Sequence, residues 1–80
     1  MNRQQRVEKI YEVLERTIHS FFEPTEWSTI ASAVSKELVV KNWLEVRGVL
    51  QFMIDAGMVE RTQNVHVEAY VKTVPSAKEN

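Results

Sequence analysis

Three side chains within ten residues of this 80-residue sequence carry planar hydrogen-bonding forks: Asn42, Arg47 and Gln51. A guanidinium fork matches the O6/N7 edge of guanine, and a carboxamide matches the N6/N7 edge of adenine. The chemistry these residues could do is therefore recognition by paired hydrogen bonds, with no covalent step. Lys36, Lys41, Arg61 and Lys72 lie near them in sequence order and could neutralise phosphates, with Ser28, Thr29, Ser32 and Ser35 as neutral phosphate contacts. The competing reading is a solvated helix face with a capping asparagine.

Groups that make or break bonds are missing. The chain has no cysteine, and His19 and His66 have no further histidine or cysteine at metal-ligand spacing. There is no glycine-rich phosphate loop, no nucleophile motif and no histidine–carboxylate arrangement that spacing supports. The sequence is read as that of a protein that is not an enzyme and needs neither metal nor cofactor. Its formal net charge of −1 withholds the basic excess that makes nucleic-acid binding easy to infer.

The elements that must position these residues are legible in the apolar spacing. Val7, Ile10, Tyr11, Leu14, Ile18 and Phe21 recur at steps of three and four, which predicts a first helix from Arg3 to Phe22. Glu12 and Arg16 are spaced on it for an i,i+4 pair, and Pro24 ends it. Thr25 stands where an N-cap belongs, with Glu26 in the first turn of a second helix that carries Trp27, Ile30, Ala31, Val34 and Leu38 and ends near Leu38. Asn42-Trp43-Leu44-Glu45 resembles a capping box and opens a third helix, from Trp43 to Ala56. That helix buries Val46, Val49, Leu50, Met53 and Ile54 and stops at Gly57 in the left-handed conformation. Met58–Thr62 and Val65–Val71 then read as a hairpin turning at Gln63-Asn64. In its second strand Val65, Val67, Ala69 and Val71 face the core, and His66, Glu68, Tyr70 and Lys72 face out.

Three helices followed by a two-stranded β-hairpin, and the run from Val46 to Arg61 in particular, resemble the winged helix-turn-helix superfamily of small bacterial, phage or plasmid regulators. In that superfamily a leucine, a capping glycine, two apolar residues and an arginine mark the passage from recognition helix to wing. Leu50, Gly57, Met58, Val59 and Arg61 occupy those places here. The spacing from Ile30-Ala31 to Gly57 is several residues longer than in compact versions. The resemblance implies an α+β, mainly α fold and a DNA-binding transcriptional regulator. Helix 3 would lie in the major groove and the 58–72 hairpin would serve as wing. Its groove-facing residues would be Lys41, Asn42, Trp43, Glu45, Arg47 and Gln51, with Lys36 and Arg61 on the backbone and the wing-tip Gln63 and Asn64 on the backbone or in the minor groove, although turn formation is the commoner reason for such residues. Such a regulator acts as a homodimer, joined through helix 1 or through the C-terminal strand and tail.

A second reading is a winged-helix protein–protein interaction module, an adaptor or inhibitor that does not bind DNA. Its motive is the neutral charge together with Trp43 and Phe52, which are hard to place inside while the Val46/Val49/Leu50/Met53 face is buried. Core packing is the commoner fate of each aromatic.

One domain over residues 1–74 and a frayed tail over 75–80 account for the length. A hydrophobic fraction of 44% and a charged fraction of 26% are those of an ordinary globular protein. Charges interrupt the N-terminal segment where a signal peptide would be apolar, and no run reaches the roughly 18 apolar residues of a membrane span. The expected compartment is the cytoplasm, with no membrane partner.

Overall fold

The computed structural model describes residues 1–18, 23–63 and 67–73, the side chain of Gln63 excepted. Helix α1 (Arg3–Thr17) begins on a signal that the apolar pattern does not carry. The Asn2 side chain accepts from the Gln5 amide at 2.8 Å, and the Asn2 amide donates to the Gln5 side chain at 2.9 Å. This reciprocal box satisfies two of the amides that a helix start leaves without partners. The helix ends at Thr17, five residues before the expected Phe22, because Ile18 has turned to extended backbone (ψ 119°). Pro24 is too distant to be the stop, and Phe21 lies outside the described residues. Ile10, Val13, Leu14 and Ile18 are buried, whereas Val7, expected on that face, is exposed.

Thr25 is not an N-cap. Thr25–Glu26 form a short strand, β1, and the Thr25 hydroxyl donates to the Thr17 carbonyl at 3.3 Å, fastening the strand to the end of α1. Helix α2 (Trp27–Ser35) starts after Glu26, whose side chain makes no cap, and ends before Leu38. Helix α3 (Leu44–Asp55) buries Val46, Val49, Leu50 and Met53 as the spacing requires, whereas Ile54, expected with them, is only partly buried at the edge of the core. Its exit is a double-bonded glycine stop: Gly57, at φ 78°, donates to Ile54 O at 3.0 Å, and the Met58 amide reaches Met53 O at 2.9 Å. Only glycine adopts that φ without a Cβ penalty.

Strands β2 (Val59–Gln63) and β3 (Glu68–Lys72) form the expected antiparallel hairpin, but Gln63 is the last residue of β2, opposite Glu68, and not part of the turn. Asn64 and Val65 lie outside the described residues, and β3 also pairs with β1, Thr25 opposite Tyr70. The sheet is three-stranded in the order β1-β3-β2, not two-stranded. Ala69 and Val71 face the core and Lys72 faces out as expected, but the central place of β3 changes the facing of Tyr70, and Val67 is not on the buried face. Ala69, Tyr70 and Val71 are all buried, Tyr70 fully so and packed into the main core, while Val67 is exposed. A strand flanked on both edges and covered on both faces does not show the period-two contrast of a half-exposed one. The core joins α1, α2, α3, Val59 and Tyr70 in one cluster. The result is a small, mainly helical α+β fold. No helix among the described residues is long and apolar enough to cross a membrane.

Candidate functional site

The fork residues singled out in the sequence are committed within the protein. The Arg47 guanidinium lies 3.9 Å from the centre of the Trp27 ring and grips Glu68 of β3 with two donors, Nη1 to Oε2 at 2.8 Å and Nη2 to Oε1 at 3.3 Å. The Tyr70 hydroxyl donates to the same carboxylate. A stacked, bidentate arginine of this kind is a fastener between helix and sheet. Gln51 Nε2 donates to Asp55 Oδ1 one turn along α3 at 2.9 Å. Asn42 Oδ1 accepts from the Leu44 amide at 3.0 Å in the turn before α3, but the N-cap residue is Trp43, which has no side-chain cap, so neither half of the expected Asn42–Glu45 capping box forms.

Glu45, the residue that would have closed that box, turns to α1 instead. Arg6 holds it through Nε at 2.7 Å and Nη2 at 2.7 Å, and Nη2 also donates to the Val39 carbonyl at 2.9 Å. The hydrogen bonds from Arg6 hold the Glu45 carboxyl below its ordinary range against the opposing effect of desolvation, with the charges of Arg6 and Arg3 adding to them. The same partnership raises the Arg6 guanidinium. Glu37, just after α2, pairs with both Lys9 (3.2 Å) and Arg16. Arg16 therefore does not form the i,i+4 pair with Glu12 that the spacing suggested. The long connection between α2 and α3 is pinned to α1 by these two acid–base clusters.

At about 100° per residue, Val46, Val49, Leu50 and Met53 define the buried arc of α3, and Leu44, Gly48, Gln51 and Asp55 define the arc facing away from it. Arg47 flanks that outer arc toward the sheet, Phe52 and Glu45 toward α1. Leu44 is 72% exposed and Phe52 59% exposed, so the outward side of α3 offers large apolar groups and no uncommitted cation. Phe52 is thus not a core residue. Trp43 lies at the margin of the core, partly buried against it and edge-on to Trp27 with ring centres 6.1 Å apart.

Between α1 and α3 runs an open groove whose apolar lining comes from Val7 and Tyr11 on one side and from Leu44, Gly48, Val49 and Phe52 on the other. Tyr11 is fixed there by its hydroxyl, 3.7 Å from the Met58 sulfur. The sequence reading missed Leu44, Gly48 and Val7 as surface residues. The signal was present in Leu44-x-x-x-Gly48-x-x-x-Phe52, a second stripe at i, i+4, i+8 that runs from the outer arc of the helix to its α1 flank.

Of the remaining candidates, Lys36, Lys41 and Arg61 are exposed and have no ion pair among the described residues. Asn64 and His66 lie outside them, as does His19. No protein-family model, no curated protein and no solved structure matches this chain.

Proposed function

We propose that this chain is a protein-docking module on a winged-helix frame, with the α1–α3 groove as its contact surface. The observation that carries the reading is the outward side of α3, where Leu44 and Phe52 are exposed and the helix's own arginine, Arg47, is spent on Glu68 and Trp27. A helix that reads a major groove needs polar groups free to meet base edges and cations free to meet phosphates. This helix presents an apolar stripe with Asp55 beside it, the composition of a surface that another protein covers. The order of three helices and a terminal hairpin supports the winged-helix part of the reading.

The test is recovery of partners by the purified protein and by a Leu44→Asp/Phe52→Asp double variant, whose circular dichroism establishes that it folds. The reading expects a stoichiometric partner held by the wild type and lost by the variant. A partner retained by both, or shed only when Lys36, Lys41 and Arg61 are replaced, would contradict it.

Binding to double-stranded DNA is the second reading, and one observation favours it. Lys36 and Lys41 at the approach to α3 and Arg61 and Lys72 on the hairpin are exposed cations without ion pairs among the described residues. If all four met phosphates, the affinity for a duplex would fall with a log–log salt slope of about −3 to −4. A mobility-shift series over salt concentration measures that slope, and no shift at low salt removes the reading.

A further inference from the structure

The α1–α3 groove has a floor and a rim of different chemistry. Its floor is apolar, as described above, and Glu8 and Glu12 of α1 stand along its edge. Neither forms an ion pair with a cation among the described residues; Glu8 accepts only the Gln4 side-chain amide, at 3.3 Å. Glu15, exposed one turn further on, continues the same line at i, i+4, i+7. Glu45 also borders the groove, but Arg6 cancels its charge. The cation left on the lining is Arg3, at the N-terminal end of α1.

We propose that this groove receives an amphipathic α-helix from a partner protein, apolar on the face it inserts and carrying lysine or arginine beside that face. The inference rests on the docking reading above and adds the class of partner. The groove's walls, Arg3 to Glu12 and Leu44 to Phe52, are each about 12–14 Å long at 1.5 Å per residue. That length accepts roughly two and a half helical turns, enough for three anchors at i, i+4 and i+7. Gly48 sits at the middle of the α3 wall, and a Cβ placed there would meet nothing within 4 Å. The central anchor can therefore approach the α3 backbone between Leu44 and Phe52. The unpaired carboxylates of Glu8 and Glu12 select basic flanks on the guest by charge complementarity. They also argue against two other occupants. A phosphate backbone would meet like charge, and a second copy packed symmetrically on this groove would bring two acidic rims together against one arginine from each chain.

The experiment uses two synthetic helical peptides with the same leucine anchors at i, i+4 and i+7, one flanked by lysines and one by glutamates. Each is titrated into the whole protein by calorimetry and by amide NMR, at about 50 mM and about 500 mM salt. The expected result is that the lysine-flanked peptide binds about tenfold tighter at low salt, a gap of the size two rim charge pairs supply. The gap should close at high salt, and the amides of Val7, Tyr11, Gly48 and Phe52 should move. Glu8→Lys/Glu12→Lys should reverse the preference. If that variant does not fold, Glu8→Gln/Glu12→Gln should abolish the preference while keeping the apolar binding.

Equal binding of the two peptides would overturn the basic-partner inference and leave the docking reading standing. Binding of neither peptide would overturn the inference as well. The docking reading is then decided separately by partner recovery with Leu44→Asp/Phe52→Asp. A molar mass near twice the 9.3 kDa of the chain, restored to monomer by Phe52→Asp, would show that the occupant is a second copy, and would overturn it too.

Discussion

If the outward stripe of α3 is a docking surface, removing its side chains must cost binding and almost nothing in folding. Phe52→Ala is the sharpest case. About two fifths of Phe52 and about a quarter of Leu44 are covered in the folded chain. Full burial of such side chains stabilises by about 1.5–3 kcal/mol, so truncation forfeits about 1 kcal/mol at Phe52 and about 0.5 kcal/mol at Leu44. Alanine is the better helix former by about 0.5 kcal/mol over phenylalanine, which offsets part of that loss. The net expectation is a change within about 0.5 kcal/mol for Phe52→Ala. Its neighbour Met53 is only 1% exposed, and Met53→Ala should cost about 2–5 kcal/mol through lost transfer energy and the cavity left behind. Urea denaturation followed by circular dichroism separates the two outcomes, because each variant's midpoint shift at unchanged slope reads the difference directly. Were Phe52→Ala to destabilise the protein as much as Met53→Ala, Phe52 would be a core residue and the docking argument would lose its basis.

The two glycines should respond with opposite signs. Gly48→Ala, in a helix interior with open space around it, should stabilise by about 0.5–1 kcal/mol while weakening any guest at the groove's middle, whereas Gly57→Ala, at φ 78°, should destabilise by about 1 kcal/mol; thermal melts of both check this. Arg47→Lys keeps the charge but loses the fork and the stacking on Trp27, and should lower stability by about 1 kcal/mol in denaturant titration with a change in tryptophan emission. The Glu45 carboxyl titrates lower in the folded chain than in the unfolded one, so its contribution is complete above the unfolded value of about pH 4.3 and is lost as pH falls through the folded value. The stability gap between wild type and Glu45→Gln should therefore be flat from about pH 6 to 8 and shrink below about pH 4.3; a gap that widens in acid would refute the Arg6 partnership as its source.

Much of the helical frame was legible because the buried stripes of α2 and α3 obey the helical period without interruption. The glycine stop at Gly57 was legible because no other residue fits that turn at low cost. What the sequence concealed were pairings distant along the chain. Nothing local marks Thr25-Glu26 as a strand; it becomes one only because β3 leaves an edge beside it, and the same pairing puts Tyr70 inside. The end of α1 at Thr17 is likewise undetectable from a spacing that runs on to Phe21. At the site, type and spacing identified Arg47 as a fork and could not identify what it grips. Glu68 is 21 residues away and Glu45 finds Arg6 across 39, separations over which only the folded chain assigns partners. Phe52 was visible as a residue the core stripe could not accommodate, and Leu44 belonged to the same exposed stripe at i−8.

Amide NMR of the whole protein, titrated in parallel with the lysine-flanked helical peptide and with a random-sequence DNA duplex, both at low salt, decides between protein docking and DNA binding. The peptide should move Val7, Tyr11, Gly48 and Phe52 while the duplex leaves Asn42 to Phe52 in place. Movement of Asn42, Arg47, Gln51 and Arg61 by the duplex, with no response to the peptide, would contradict protein docking.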